Sequence, residues 1–163
     1  ILERVAEETS ETVNFVVSGV TGMNYLDRIE TNWAFRIQLP IGSSVPFHCT
    51  ASGKVFLSSL RKKECRTLVG SMRLDQFTEQ TRITPEALMA DIKQCQKLGF
   101  AIDNEEFMVG MIAIAVPVLD TQGNFVAALA THGPSQRMSV AQAKDRLPSL
   151  LKGANLLRTA LFN

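Results

Sequence analysis

Residues 46–57 read Pro46-Phe47-His48-Cys49-Thr50-Ala51-Ser52-Gly53-Lys54-Val55-Phe56-Leu57. A loop punctuated by Pro40, Gly42 and Pro46 runs into a turn of small residues, and an apolar helix begins there. Thr50 or Ser52 can cap that helix, because a side-chain oxygen accepts from the first unpaired backbone N–H groups. Ala51, Ser52 and Gly53 carry little or no side chain, so a ligand can come close to the backbone. It would meet several free N–H donors and the positive end of the helix dipole. That is the chemistry of a small-anion site, and the rest of the chain decides whether a pocket is built over it.

Outward from this stretch, the pattern alternates between two periods. Towards the N-terminus, residues 1–10 read as a helix with Leu2, Val5 and Ala6 on one face. Thr12–Ser18 and Met23–Glu30 read as strands around a turn at 19–22, and a third strand is expected at Trp33–Leu39. Towards the C-terminus, the opening helix runs to about Leu60 and a short helix covers Arg61–Gly70. Residues 71–83 are loop-like. Thr84-Pro85-Glu86 is a helix start, with Leu88, Ile92 and Cys95 on the buried stripe, Lys97 in the last turn and Gly99 past the end. On that stripe Cys95 is a small core residue. Phe100–Asp103 is a short strand. Met111–Leu119 is apolar throughout and so is covered on both faces, and a turn at 120–124 leads to the returning strand Phe125–His132. Ser139 with Gln142 forms a capping box for a last helix whose expected buried face is Ala143, Leu147, Leu150, Leu151, Ala154, Leu157 and Leu161. Pro148 should kink or split it. Neighbouring strands joined by short turns, with helices between, argue one α+β domain built on an antiparallel sheet.

Composition excludes several functions. The chain has 163 residues, 45% of them hydrophobic and 20% charged, with a net charge of +1. Arg61-Lys62-Lys63 is followed at once by Glu64, which suits a solvated helix start better than a nucleic-acid patch. Cys49, Cys65 and Cys95 are odd in number and widely spaced, so neither a disulfide framework nor a metal site is indicated and a reducing, cytoplasmic setting is expected. No run reaches the roughly 18 apolar residues of a membrane span. The chain starts in helical pattern without Met and with no signal-peptide character, as a piece of something longer would.

Catalytic readings of the central stretch fare poorly. A phosphate loop needs Gly where His48 stands and Ser or Thr where Val55 stands. A nucleophile elbow needs Gly where Thr50 stands. His48 beside Cys49 leaves a rival open, a small enzyme using that pair, although no Asp or Asn is placed to orient the histidine. Asp103, Glu105 and Glu106 form an acid cluster at a strand end. It is either a hydrated turn or a loop with one carboxylate turned inward to a ligand.

Several segments together resemble one family. Residues 46–54 fit a pattern of Pro, apolar, His, small, Thr/Ser, Ala/Gly, Ser/Ala, Gly, Lys. Gly99-Phe100-Ala101-Ile102-Asp103-Asn104-Glu105-Glu106 fits Gly-aromatic-x-x-Asp-x-Glu-Glu. Gly110, Ala115-x-Pro117-Val118, Gly133-Pro134 with Arg137, and Glu11-Thr12-Val13 match further blocks. In this order the set resembles the C-terminal effector-binding domain of IclR-type transcriptional regulators, over nearly the whole chain. The resemblance implies a GAF-like (profilin/PAS-like) fold across residues 1–163. It implies a sensor of small organic or aromatic acids that works as a homodimer or homotetramer. It also implies that DNA, as activator or repressor, is bound only through an N-terminal winged helix-turn-helix outside this chain. No cofactor is implied.

The same resemblance assigns Ala51, Ser52 and Gly53 to the ligand-contacting turn and Asp103 to the inward acid. It assigns Ala34 and Ile37 to a wall on the third strand, and Ala113, with Met111 beside it, to the apolar strand. Ala130 and His132 stand at two positions that are often Ser in the family. This departure suggests a bulkier or more apolar effector than a two-carbon acid, aromatic or larger aliphatic acids included, with His132 as a donor, cationic when protonated, aimed at the ligand. Besides the enzyme, a second rival is a dimerisation module whose pocket is vestigial.

Overall fold

A computed structural model describes all residues from Ile1 to Asn163. Six strands, β1 (Thr12–Ser18), β2 (Met23–Ile29), β3 (Ser44–Val45), β4 (Ala101–Asn104), β5 (Met111–Leu119) and β6 (Phe125–Pro134), form one sheet. Their order is β3-β2-β1-β6-β5-β4, with every pair antiparallel. Six helices accompany them: α1 (Leu2–Thr9), α2 (Ala51–Ser59), α3 (Lys62–Ser71), α4 (Pro85–Leu98), α5 (Val140–Asp145) and α6 (Leu147–Phe162).

Alternation along the strands explains why β5 reads as apolar without a break. Met111, Ala113 and Ala115 face one core, shared with α2, α3 and α4. Ile112, Ile114, Val116 and Val118 face a second core, under α1, α5 and α6. A strand covered on both faces has no polar side to show in its sequence. The helix ends follow their caps. Thr84 accepts from the Ala87 N–H at the start of α4, and Gly99 closes it at φ 78 in the left-handed region, where a residue without Cβ is unstrained. The capping box at Ser139 and Gln142 is formed, and the helix expected after it is split at Pro148 into α5 and α6. The buried face of α6 is narrower than expected: Leu150 and Ala154 are buried, whereas Leu151 and Leu161 are exposed.

The expected third strand at Trp33–Leu39 is not there. Residues 33–39 run as an irregular strap, and the strand that pairs with Met23 and Asn24 of β2 is Ser44–Val45. Apolar residues at 33, 35, 37 and 39 mimic a strand period, yet Trp33 and Phe35 are exposed. The strap's polar groups are met by side chains instead of a neighbouring strand. Arg137 donates to the Phe35 carbonyl at 2.8 Å, His132 to the Ile37 carbonyl at 3.0 Å, and the Trp33 indole N–H to the Ser10 carbonyl at 3.1 Å. Arg137 is itself held by Glu11 through contacts of 2.6 and 2.9 Å.

Gly153 is where α6 touches the sheet. A Cβ there would lie 2.6 Å from Val5 Cγ2 and 2.9 Å from Leu129 Cδ2. Gly153→Leu should therefore lower stability by about 1–3 kcal/mol through overpacking. Urea unfolding measures it, and an unchanged midpoint would mean that the helix is not seated as described.

Candidate functional site

The start of α2 is arranged by its loop. Thr50 Oγ1 accepts from the Gly53 N–H at 3.1 Å and donates to the Pro46 carbonyl at 2.6 Å. The Lys54 N–H reaches the Thr50 carbonyl at 3.0 Å. Ala51 and Ser52 then keep the two N–H groups with no helical partner. Gly53 has a different job from the one expected. A Cβ there would collide with the Phe47 carbonyl oxygen and come within 2.5 Å of the Phe47 Cα. Its bareness lets the entering loop lie against the helix, and it does not line the cavity at this site.

Strand register supplies the floor. Asp103 pairs with Ala113, Ala113 with His132, and Ala130 with Asn14. Asp103, Ala113 and His132 thus form one row across β4, β5 and β6, and alternation turns the row towards α2. With Thr50, Ala51, Ser52, Met111, Ala130, Asn14 and Tyr25 they enclose a cavity of about 20 Å³, room for about one water. Larger surface hollows lie elsewhere, among them one of about 800 Å³ between α1 and the strap. They are more open to solvent, and the small cavity, lined by the buried Asp103 and the start of α2, is the candidate.

Asp103 is wholly buried. Its Oδ1 accepts from the Glu106 N–H at 2.8 Å, and its Oδ2 has no hydrogen-bond partner. Burial above all, with the Glu106 carboxylate second, pushes its pKa up to about 7. Glu106 does not line the cavity. It takes the Lys54 ammonium through contacts of 2.9 and 3.0 Å, with both side chains almost completely out of water. The acid cluster therefore divides: Asp103 faces the cavity and Glu106 anchors α2. Burial likewise raises the Tyr25 phenol to about 12, so Tyr25 stays neutral.

His132 does not play the cationic role expected of it. The Ile37 carbonyl only accepts, so Nε2 carries the proton and donates to it at 3.0 Å. Nδ1 is then the acceptor for the Asn14 amide at 2.9 Å, while Asn14 Oδ1 accepts from Arg28 Nε at 2.6 Å. Arg28, Asn14, His132 and Ile37 form one relay of fixed polarity. A second proton on His132 would set N–H against N–H at Asn14. Burial also lowers its basicity. The imidazole is neutral, and both nitrogens are occupied.

Of the positions expected from sequence, Ala51, Ser52, Asp103, Met111, Ala113, Ala130 and His132 meet at the cavity. Ala34 does not: it lies exposed on the strap. Ile37 contributes its carbonyl to His132 and packs against the core without lining the cavity. Asn14, Tyr25 and Thr50 line it and were missed as ligand-facing residues. Asn14 left a readable signal, a lone amide opposite the apolar face of β1. His132 and Asn14 stand beside Ala130 in the lining of the cavity. The rival pair also separates. His48 bonds the Asp75 carbonyl at 2.9 Å, and burial pushes the Cys49 thiol up, away from thiolate chemistry.

This geometry sits in a recognised kind of domain. Residues 1–157 match the family model described as bacterial transcriptional regulator IclR C-terminal. The chain belongs to that family. It is 36% identical over 155 residues to the probable transcriptional regulator SauR of Cupriavidus necator, covering 95% of this chain and 62% of that protein. The IclR structure from Thermotoga maritima superposes with a TM-score of 0.92 at 25% identity, covering 99% of this chain and 66% of that one. The inducer-binding domain of the PobR transcription factor from Acinetobacter, a double mutant in complex with 3-hydroxybenzoic acid, superposes with a TM-score of 0.87 at 28% identity, covering 96% of this chain and 93% of that one. The fold is the α+β, GAF-like one, and the domain is an effector-binding domain of an IclR-family transcriptional regulator. No helix is long and apolar enough to cross a membrane.

The raised pKa of Asp103 has a thermodynamic consequence of definite sign. The folded state holds this proton more tightly than the unfolded chain, so stability falls as pH rises from about 4 through about 7. Asp103→Asn should match the unsubstituted chain in acid and exceed it by up to about 4 kcal/mol at pH 8. Chemical denaturation across that range measures the gap, and a variant less stable at pH 8 would contradict it.

Proposed function

We propose that the domain senses a small carboxylic acid at this cavity and passes its presence to a DNA-binding segment outside the chain. The observation that carries this reading is the convergence of groups without partners. Ala51 and Ser52, whose helix N–H groups have no partner, and the buried Asp103, whose Oδ2 has none, line one cavity. Ala51, Ser52, Met111, Ala113, Ala130 and His132 line the site around Asp103. The carboxylate end lies at α2, where the dipole and free donors stabilise an anion. The acid bound by PobR supports this class of ligand. Asn14, Tyr25, Thr50 and Ser52 set polar groups among the apolar side chains of Met111, Ala113 and Ala130, a mixed lining that suits an organic acid.

A cavity of about 20 Å³ cannot take any such acid without movement. The strap is the element free to give, since it pairs with no strand and its one hydrogen bond to a residue lining the cavity is that from His132 to Ile37. Its exposed Trp33 and Phe35 would carry the displacement to the surface. There it would act on the geometry of a homodimer or homotetramer, and through it on a winged helix-turn-helix. A cytoplasmic location accords with that role. A second reading, a dimerisation module with a closed pocket, draws on the same small volume.

Thermal shifts with a panel of two- to seven-carbon carboxylic acids separate the two readings. A true effector at a hundred times its dissociation constant adds about 2.7 kcal/mol of stability. No shift from any acid would favour the closed module. His132→Ser, which frees the strap and enlarges the cavity, should lower the stability of the unliganded chain by about 1–3 kcal/mol and tighten acid binding. Weaker binding in that variant would count against the strap as the gate.

A further inference from the structure

Building on that effector reading, we propose that the site takes up one proton together with its acid: the effector binds as a carboxylate, and a neutral Asp103 donates its Oδ2–H to it. The position of the proton follows from the hydrogen bonds. Oδ1 is committed as acceptor to the Glu106 N–H at 2.8 Å, so only Oδ2, which has no partner, is open to protonation. Oδ2 belongs to a side chain lining the cavity that also receives the Ala51 and Ser52 end of α2. One carboxylate oxygen on the helix donors leaves the other to accept from Oδ2–H. The arrangement is a carboxyl–carboxylate pair sharing a proton, as two acids confined at short range must.

Burial and Glu106 favour the neutral form of Asp103 and outweigh Lys54, which favours the ionised one. Glu106, on the loop after β4, is a second anion close by. The Lys54 ammonium of α2 is already engaged, by Glu106 at 2.9 and 3.0 Å and by Asp91 of α4 at 3.6 Å. Tyr25 of β2 is a neutral phenol, and Cys49 before α2 a neutral thiol. His132 of β6 is neutral with both nitrogens engaged. Arg28 of β2 lies over the Tyr25 ring, 4.8 Å from its centroid, and donates to Asn14. Arg28 Nη2 has no partner, but Arg28 does not line the cavity, so no cation of the lining balances an ionised Asp103 beside an incoming carboxylate. Burial already brings the neutral form within reach at neutral pH. A ligand presenting an ammonium to Oδ2 would instead require the ionised form.

Pyruvate and L-alanine share a skeleton and differ in that group, so they separate the two states of Asp103. Isothermal titration calorimetry of the chain with pyruvate, 3-hydroxybenzoate and L-alanine, in phosphate and in Tris from pH 6 to 9, reads the proton directly. The expected result is acid binding without alanine binding. The heat should differ between buffers by about one proton taken up at pH 8, with affinity falling towards tenfold per pH unit above about pH 7. Asp103→Asn should bind the same acid with no buffer-dependent heat and a flat pH profile. Acid binding without proton uptake, uptake that survives in Asp103→Asn, or preferential alanine binding would each overturn the proposal and leave the effector reading standing. If none of the three probes binds at any pH, the effector reading loses its support and this inference falls with it. Should Asp103→Asn not fold, the carboxyl carbon resonance of Asp103 decides. It must shift to the protonated position on adding acid at pH 8, and an unmoved ionised signal would sink the idea.

Discussion

The buried contact between Lys54 and Glu106 sets the geometry on which the site depends. Both side chains lie almost wholly out of water, with 2.9 Å between ammonium and carboxylate. Such a pair adds little net stability over an apolar one, but removing one partner strands a charge at a cost of about 3–5 kcal/mol. It therefore acts as a constraint of position. It ties α2 to the end of β4, three residues past Asp103. The Glu106 backbone serves the same purpose, since its N–H holds Asp103 Oδ1 and its carbonyl accepts from Thr81 at 2.6 Å. The contact of Gly53 with Phe47 fixes the other side of the helix entrance. With α2 pinned at both points, its two free N–H groups and the orphaned Asp103 oxygen face one space.

A second layer of constraint lies across the sheet. The Arg28–Asn14–His132–Ile37 relay links β2, β1 and β6 to the strap through hydrogen bonds whose direction is dictated by chemistry. Only the neutral imidazole satisfies both neighbours. The departure that marked His132 as unusual is thus put to structural use, filling volume and holding the strap. Selectivity for an acid would then come from what the strap permits as much as from the residues that touch the ligand.

The legible parts of this molecule were those encoded locally. Caps at Thr50, Thr84 and Ser139, the proline at 148, and the two-faced apolar run of β5 each announced their element through short-range chemistry. The strap was misread because Trp33, Phe35, Ile37 and Leu39 alternate like a strand. What cancels that pattern, Arg137 and His132 reaching across to its carbonyls, lies about a hundred residues further on. Ala34 was placed on the site by the family resemblance, which assumed a strand there. Asp103 was found through the acid cluster and the family pattern, but the division of labour between it and Glu106 depends on where Lys54 ends up. Asn14 and Tyr25 join the cavity through strand register, which no single segment contains.

That register has a bearing on how the molecule is made. The first strand pairs with the last, placing Thr12 opposite His132 and Asn14 opposite Ala130. A chain emerging from the ribosome forms its first hairpin long before β6 exists, and β1 waits with one edge bare. Contacts so distant in sequence slow folding and expose an edge that other chains can join. The cavity cannot close until β6 arrives, so a truncated or half-made chain lacks His132 and the strap's anchor. The cavity is therefore assembled only after β6 has joined β1.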